Sequence, residues 1–251
     1  MYSFGSGVLL GTRTDIANAT PVNFGLVQEV TIEETATIKE LTGQYQRPVA
    51  IARGTIKTTG KAKVARISGI AFASLYYGVT PQLGQIATSY AEGPTAIPGS
   101  SGQYQITVAN SATYVDDAGV INAETGIPMQ LVSANPAAGQ YTVNTATGVY
   151  TFSSADNLAG VKVLISYTYA ISSSGQKIQV TNQLLGTTPT FKAKFYTTFQ
   201  GQAVSLQLNN CTSNKLTFGT KLEDFTMPEF DFSCFADAAG NVMTWSFAEA
   251  S

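Results

Sequence analysis

Few residues in this sequence are spaced for chemistry. Three pairs of adjacent carboxylates stand out, Glu33–Glu34, Asp116–Asp117 and Glu223–Asp224. Carboxylates are what a general acid and base, or a hard-cation site, would need. Adjacent residues on a strand point to opposite faces, so a strand-borne pair cannot close on one substrate. Turn or surface roles are the favoured reading. Asp116 and Asp117, with Ala118 and Gly119 behind them, read as a turn whose spacing matches no calcium loop. The chain contains no histidine, which removes the commonest general base, every histidine-containing triad and the commonest metal ligand. Cys211 and Cys234 lie far apart without C-x-x-C spacing and read as two buried free thiols. The Gly5-Ser6-Gly7 run lacks the spacing of a nucleotide fingerprint, and no Walker motif is present. The expectation is a protein that is not an enzyme and uses no metal or cofactor.

Composition narrows the class. Of 251 residues, 44% are hydrophobic, enough for a packed core, but only 12% are charged. That is about half the usual share for a soluble domain. Two readings stay open: a surface covered by copies of the same chain, or a solvated β surface rich in Thr and Ser. The net charge of −2 leaves no basic footprint for tight nucleic-acid binding. It is compatible with a surface past which nucleic acid slides, since weak repulsion prevents sticking. No segment has the length and apolarity of a membrane-spanning helix, and residues 1–15 lack the basic region of a signal peptide. Synthesis and assembly in a cytoplasm are expected.

The elements that would position these residues are mostly strands. In residues 189–208, Phe191, Ala193, Phe195 and Phe199 alternate with Lys192, Lys194, Tyr196 and Thr198, and Val204, Leu206 and Leu208 resume the pattern beyond Gly201. Period-two alternation on both sides of a glycine-centred turn predicts a β-hairpin. Residues 1–14 read as an apolar, glycine-rich arm. Residues 27–41 predict a long strand with Val30, Ile32, Ala36 and Ile38 on one face and Glu29, Glu33, Thr35, Thr37 and Lys39 on the other, Glu34 being the misfit. After a projecting loop, residues 42–48, a second long strand presents Lys57, Lys61 and Lys63, which suggests cross-strand pairing with the acidic face. Residues 68–77 switch to helical spacing, with Ser68 and Gly78 as caps. One short helix is predicted there, plugging an open face of the sheet.

Residues 92–102, rich in Pro, Gly and Ser, read as a linker. Short strands with frequent turns follow, which makes residues 95–174 an inserted, small immunoglobulin-like β-sandwich. Residues 215–225 read as irregular, with Lys221, Glu223 and Asp224 in a solvated turn. Residues 227–235 alternate cleanly, and residues 242–247 return as a last strand. The predicted fold is all-β and mostly antiparallel, a barrel-like sandwich formed by residues 1–94 and 175–251 and interrupted by the insertion.

Together these features resemble the major tail tube proteins of long-tailed bacteriophages. The resemblance is carried by the two long strands with their projecting loop, by the helix SGIAFASLYYG and by the block from LLGTTPTFKAKFYTTFQG to KLEDFTMPEFDFSCFADAAGNVMTWSFAE. It implies hexameric rings that stack into a tube in the virion, with strands of every subunit joined in one inner barrel and DNA passing through unbound. Its partners would be further copies of itself, a tape measure inside, and tip and terminator proteins at the ends. Glu29, Glu33, Thr35 and Thr37 would face the lumen, and the insertion of residues 95–174 would face outward from the tube. The loop with Gly43, Gln44, Tyr45, Gln46, Arg47 and Pro48, together with the N-terminal arm, would make ring-to-ring contacts. Three other readings stand beside it. One is a distal or terminator ring on the same fold. A second is a carbohydrate-binding module in which Tyr104, Tyr114, Tyr141, Tyr150, Tyr167 and Tyr169 stack on sugars, although their strand spacing favours cross-strand packing. A third is a hydrolase of unknown type, against which the missing histidine weighs heavily.

Overall fold

The structure, a computed structural model, describes residues 5–66, 68–220 and 222–248. Strands β1 (Val8–Arg13), β2 (Val22–Asn23), β3 (Val27–Thr42) and β4 (Pro48–Val64) come first. Helix α1 (Gly69–Ala71) then runs directly into a π-helix, Phe72–Tyr76. The middle of the chain holds β5 (Gln82–Ala96), β6 (Gln105–Thr107), β7 (Tyr114–Asn122), β8 (Gln130–Leu131), β9 (Gln140–Asn144), β10 (Val149–Phe152), helix α2 (Ser154–Leu158) and β11 (Lys162–Lys177). Strands β12 (Thr190–Phe199), β13 (Gln202–Thr217), β14 (Glu229–Phe235) and β15 (Met243–Phe247) follow. The fold is all-β, mostly antiparallel and sandwich-like, with β8 and β9 paired in parallel.

The chain divides into two compact units, Met1–Pro81 with Ile178–Ser251, and Gln82–Lys177. The first is built on a sheet of order β2-β1-β12-β13-β14-β4-β3, with β15 also paired to β13. Its organising hairpin is β12–β13. Gln200 and Gly201 both have positive φ, 49° and 80°, the mirror-image turn whose twist matches that of the flanking strands. Leu9, Phe24, Val27, Phe191, Leu206, Leu208, Phe230 and Phe232 bury one face of the sheet together with Phe72 and Leu75 of the helical segment. Ser68 caps that segment, its Oγ accepting from the Ala71 amide at 3.3 Å, and Gly78 leaves it at φ 68°. The predicted helix therefore covers the sheet, but most of it is π-helical, with the Tyr77 amide reaching back to the Phe72 carbonyl.

Strand β13 extends through residues read as irregular. Its register with β12 skips between Cys211 and Leu208, and its register with β14 skips between Ser213 and Lys215. Each bulge inserts one residue, so Leu208, Cys211, Ser213 and Leu216 stay on the core side at intervals of three, two and three. Strict alternation loses the strand at the first of these steps. The described part of the N-terminal arm is also sheet: β1 is paired on one side with β12 and on the other with β2. The arm's first four residues, like Lys221, lie outside the described residues.

The second unit packs a four-stranded sheet, β6-β10-β9-β8, against a three-stranded one, β5-β11-β7, around Val120, Tyr141, Tyr150, Phe152, Val163, Ile165 and Tyr167. Strands β9 and β10 fall where the alternation places them. The linker reading of residues 92–102 is corrected, because residues up to Ala96 belong to β5, which pairs along β11. Pro94 is tolerated there because β5 is an edge strand and its register with β11 shifts next to it. The unit thus begins at residue 82 and not at 95. Gln82 lies opposite Lys177, so the chain enters and leaves this unit through adjacent, paired strand ends.

Candidate functional site

The residues singled out from the sequence gather on the β3–β4 hairpin, which has two physically different halves. In the inner half β4 is flanked by β14, from Thr58 to Lys63, and its residues alternate buried and half-buried from Thr58 to Val64. Val30 and Ile32 pack toward the core. Glu29, Glu33, Thr35 and Thr37 fall together on the opposite side of β3 and are exposed. Glu34, the misfit of the alternation, lies on the core-side face, where its Oε1 accepts from the Thr58 hydroxyl at 3.1 Å.

The exposed face is a lattice of opposite charges. Lys63 Nζ donates to Glu29 Oε2 at 2.6 Å across β3 and β4. Lys61 turns the other way, to Glu229 Oε2 on β14 at 2.9 Å, and Lys215 of β13 lies 3.9 Å from Asp231 Oδ2. The hydrogen bond from Lys63 holds the Glu29 carboxyl below its ordinary range, and that from Lys61 does the same for Glu229. Cross-strand pairing of the acidic and basic strands is thus present, but it spans four strands where the sequence suggested two. Lys61 and Lys63 each face a carboxylate, so neither presents an uncompensated charge.

Among the described residues the outer half has no third strand. Beyond Thr58 the hairpin pairs only with itself, and residues 49–57 of β4 are all exposed. A register shift between Ala36 and Ile38 marks its start. Gly54 sits there because a side chain would collide with Thr37. At about 3.4 Å per residue these nine positions form an arm on the order of 30 Å long. The sequence reading of a long, half-buried strand is corrected here, since among the described residues β3 and β4 have only each other as strand neighbours along this stretch. Ile38, Leu41, Tyr45, Val49, Ile51 and Ile56 are 52–71% exposed on it. Gly43, Gln44, Tyr45, Gln46 and Arg47 form the exposed tip, and Pro48 is the first residue of β4. The free edge of β3 runs along the whole hairpin. Spacing marks the tip but not the apolar load on both sides of it, because Ile38 and Ile56 fit a buried face by period alone.

The second unit has two carboxylates among tyrosines. Asp117 lies in β7, not in a turn, and Gly119 serves a bulge opposite Ser166 and Tyr167. Asp117 Oδ2 accepts from Tyr141 Oη at 2.6 Å, and its Oδ1 accepts from Tyr150 Oη at 2.8 Å and the Gly119 amide at 3.1 Å. Glu92 accepts from Tyr167 Oη at 2.5 Å, the Ala109 amide at 3.0 Å and Ser89 Oγ at 3.2 Å. Burial, reinforced by hydrogen bonds, pushes the Tyr141 and Tyr150 hydroxyls up, so they stay protonated donors. Tyr141, Tyr150 and Tyr167 are core residues, and Tyr104, Tyr114 and Tyr169 pack against that core. Three of these rings are thus buried and three half-buried. Among the described residues no cluster of three or more His, Cys, Asp or Glu side chains is placed to hold a metal. No known family model and no curated protein matches this chain.

Proposed function

We propose that this chain is a structural subunit that polymerises with copies of itself into stacked rings, the tube of a long-tailed phage virion through which DNA leaves. The observation that carries this reading is the outer half of the β3–β4 hairpin. A two-stranded ribbon is marginal on its own in water, and this one exposes six large apolar side chains beside a free strand edge. Neighbouring subunits supply the missing cover, with sheet edges joined around the ring. Rings stack through Gly43, Gln44, Tyr45, Gln46, Arg47 and Pro48. Glu29, Glu33, Thr35 and Thr37 line the channel. The carboxylate partners of Lys61 and Lys63 keep that lining from neutralising and retaining DNA phosphates.

The test is electron microscopy of the purified protein at increasing concentration, alone and with purified tail-tip complexes. Stacked rings or tubes with an axial channel are expected. Single rings that never stack would assign a distal or terminator role, and monomers that ignore tail tips would overturn the reading.

A further inference from the structure

The two cysteines, 23 residues apart in sequence, are direct neighbours in the sheet. Cys211 of β13 lies opposite Cys234 of β14, with their sulfurs 3.2 Å apart in a thiol–thiol hydrogen bond. Directly opposed residues of antiparallel strands have Cα atoms about 4.5–5.5 Å apart, inside the range of about 4.4–6.8 Å that a disulfide spans. The two thiols differ in access: Cys211 is fully buried beside Phe191 of β12, and Cys234 is half-buried. The pair sits just past the first bulge of β13, where this strand exchanges β15 for β14 as its neighbour.

We propose that Cys211 and Cys234 are a dithiol that small-molecule disulfides oxidise to a cross-strand disulfide, Cys234 attacking first and Cys211 resolving. The Cys234 thiolate attacks one sulfur of a disulfide RSSR, forming Cys234–S–SR and releasing one thiolate, which takes up a proton. Cys211 then gives up its proton and attacks the Cys234 sulfur, expelling the second RS group as RSH. In sum, two protein thiols lose two electrons and two protons, and one RSSR becomes two RSH. The hydrogen bond from Cys211 favours this order, since it draws the Cys234 thiol below its ordinary value while Cys211 is raised. The product joins β13 to β14 where the sheet branches, and it is independent of any assembly role.

The experiment treats the folded full-length protein with oxidised glutathione and follows intact mass, free thiols and thermal unfolding. Both thiols are expected to disappear together without a lasting glutathione adduct, and the unfolding midpoint to rise by about 5–10 °C, reversibly with dithiothreitol. Cys211→Ser should stop at one stable adduct on Cys234, and Cys234→Ser should stay unreacted until unfolded. A lasting adduct on the unsubstituted protein, or thiols that react only in denaturant, would overturn the proposal. The unsubstituted chain alone decides this, whatever the variants do to folding.

Discussion

Two long antiparallel pairs outgrow their sheets in this molecule, and they are finished differently. In the second unit β5 and β11 run on past β7, which stops opposite Tyr169. Their outer ends are mostly polar, with Ser172, Ser173, Ser174 and Gly175 on β11 and Leu83 and Ile86 as the exposed large apolar residues on that end of β5, while the exposed Tyr90 lies further along β5, where β11 also pairs with β7. That ribbon ends in the paired points where the chain enters and leaves the unit. In the first unit β3 and β4 also outgrow their neighbour, but their outer half carries six exposed large apolar side chains and closes on itself at the tip. A connector needs only to be soluble and paired. A ribbon with that much uncovered apolar surface is built to be covered.

The sharpest way to break this contrast is to remove the apolar load from one ribbon at a time. Ile38→Ser with Ile51→Ser should abolish the proposed ring and tube formation, read by sedimentation and microscopy, while changing the subunit's own stability by no more than about 0.5 kcal/mol per site. Leu83→Ser with Ile86→Ser should leave assembly intact. Equal loss from both pairs would erase the distinction.

The root of the arm should behave as core instead. Phe232 lies across Gly60 of β4, directly opposite it in the β14–β4 register, and is fully buried. Phe232→Ala should cost about 3–5 kcal/mol in urea unfolding, because it leaves a cavity where the hairpin joins the sheet.

A smaller effect is expected in the second unit. Tyr150→Phe removes one of the three donors to Asp117 and should lower stability by about 1–3 kcal/mol, read as a shift in the unfolding midpoint with assembly unaffected.

The smallest effect concerns the charged face. The carboxyls of Glu29 and Glu229 titrate below their ordinary value of 4.5 because of Lys63 and Lys61. A depressed carboxyl contributes its stabilisation fully above the ordinary value and loses it as pH falls through the depressed one. Glu29→Gln should therefore match the unsubstituted protein in the acid limb of a pH–stability profile and differ from it slightly near neutrality. Glu29 is exposed, so added salt should shrink that difference.

Much of the fold was legible because period-two alternation survives wherever a strand has one buried face. The hairpin β12–β13 and strands β9, β10 and β14 all followed from it, and the capped segment behind Ser68 followed from the switch to helical spacing. Legibility failed at bulges and edges. Gly119 resembled a turn and serves a bulge, Pro94 resembled a linker and lies in an edge strand, and the paired bulges of β13 broke the period while preserving the face. The candidate site was half legible. Its polar face and tip were visible in the spacing, but the exposure of Ile38, Val49, Ile51 and Ile56 was not, since spacing shows which side a residue takes and not whether anything lies against it.

By itself, the sequence determined the fold class of the protein. Aromatic and β-branched residues at period two dictate sheets, and glycine at a turn sets the central hairpin. Only the tertiary structure decided that Cys211 meets Cys234, that Lys61 answers Glu229 and not β3, and that β14 stops at Thr58, leaving the far half of the hairpin uncovered. The physical reason is the same in each case. Local pattern fixes the faces of a strand, whereas its neighbours and their lengths depend on contacts between residues distant in the chain.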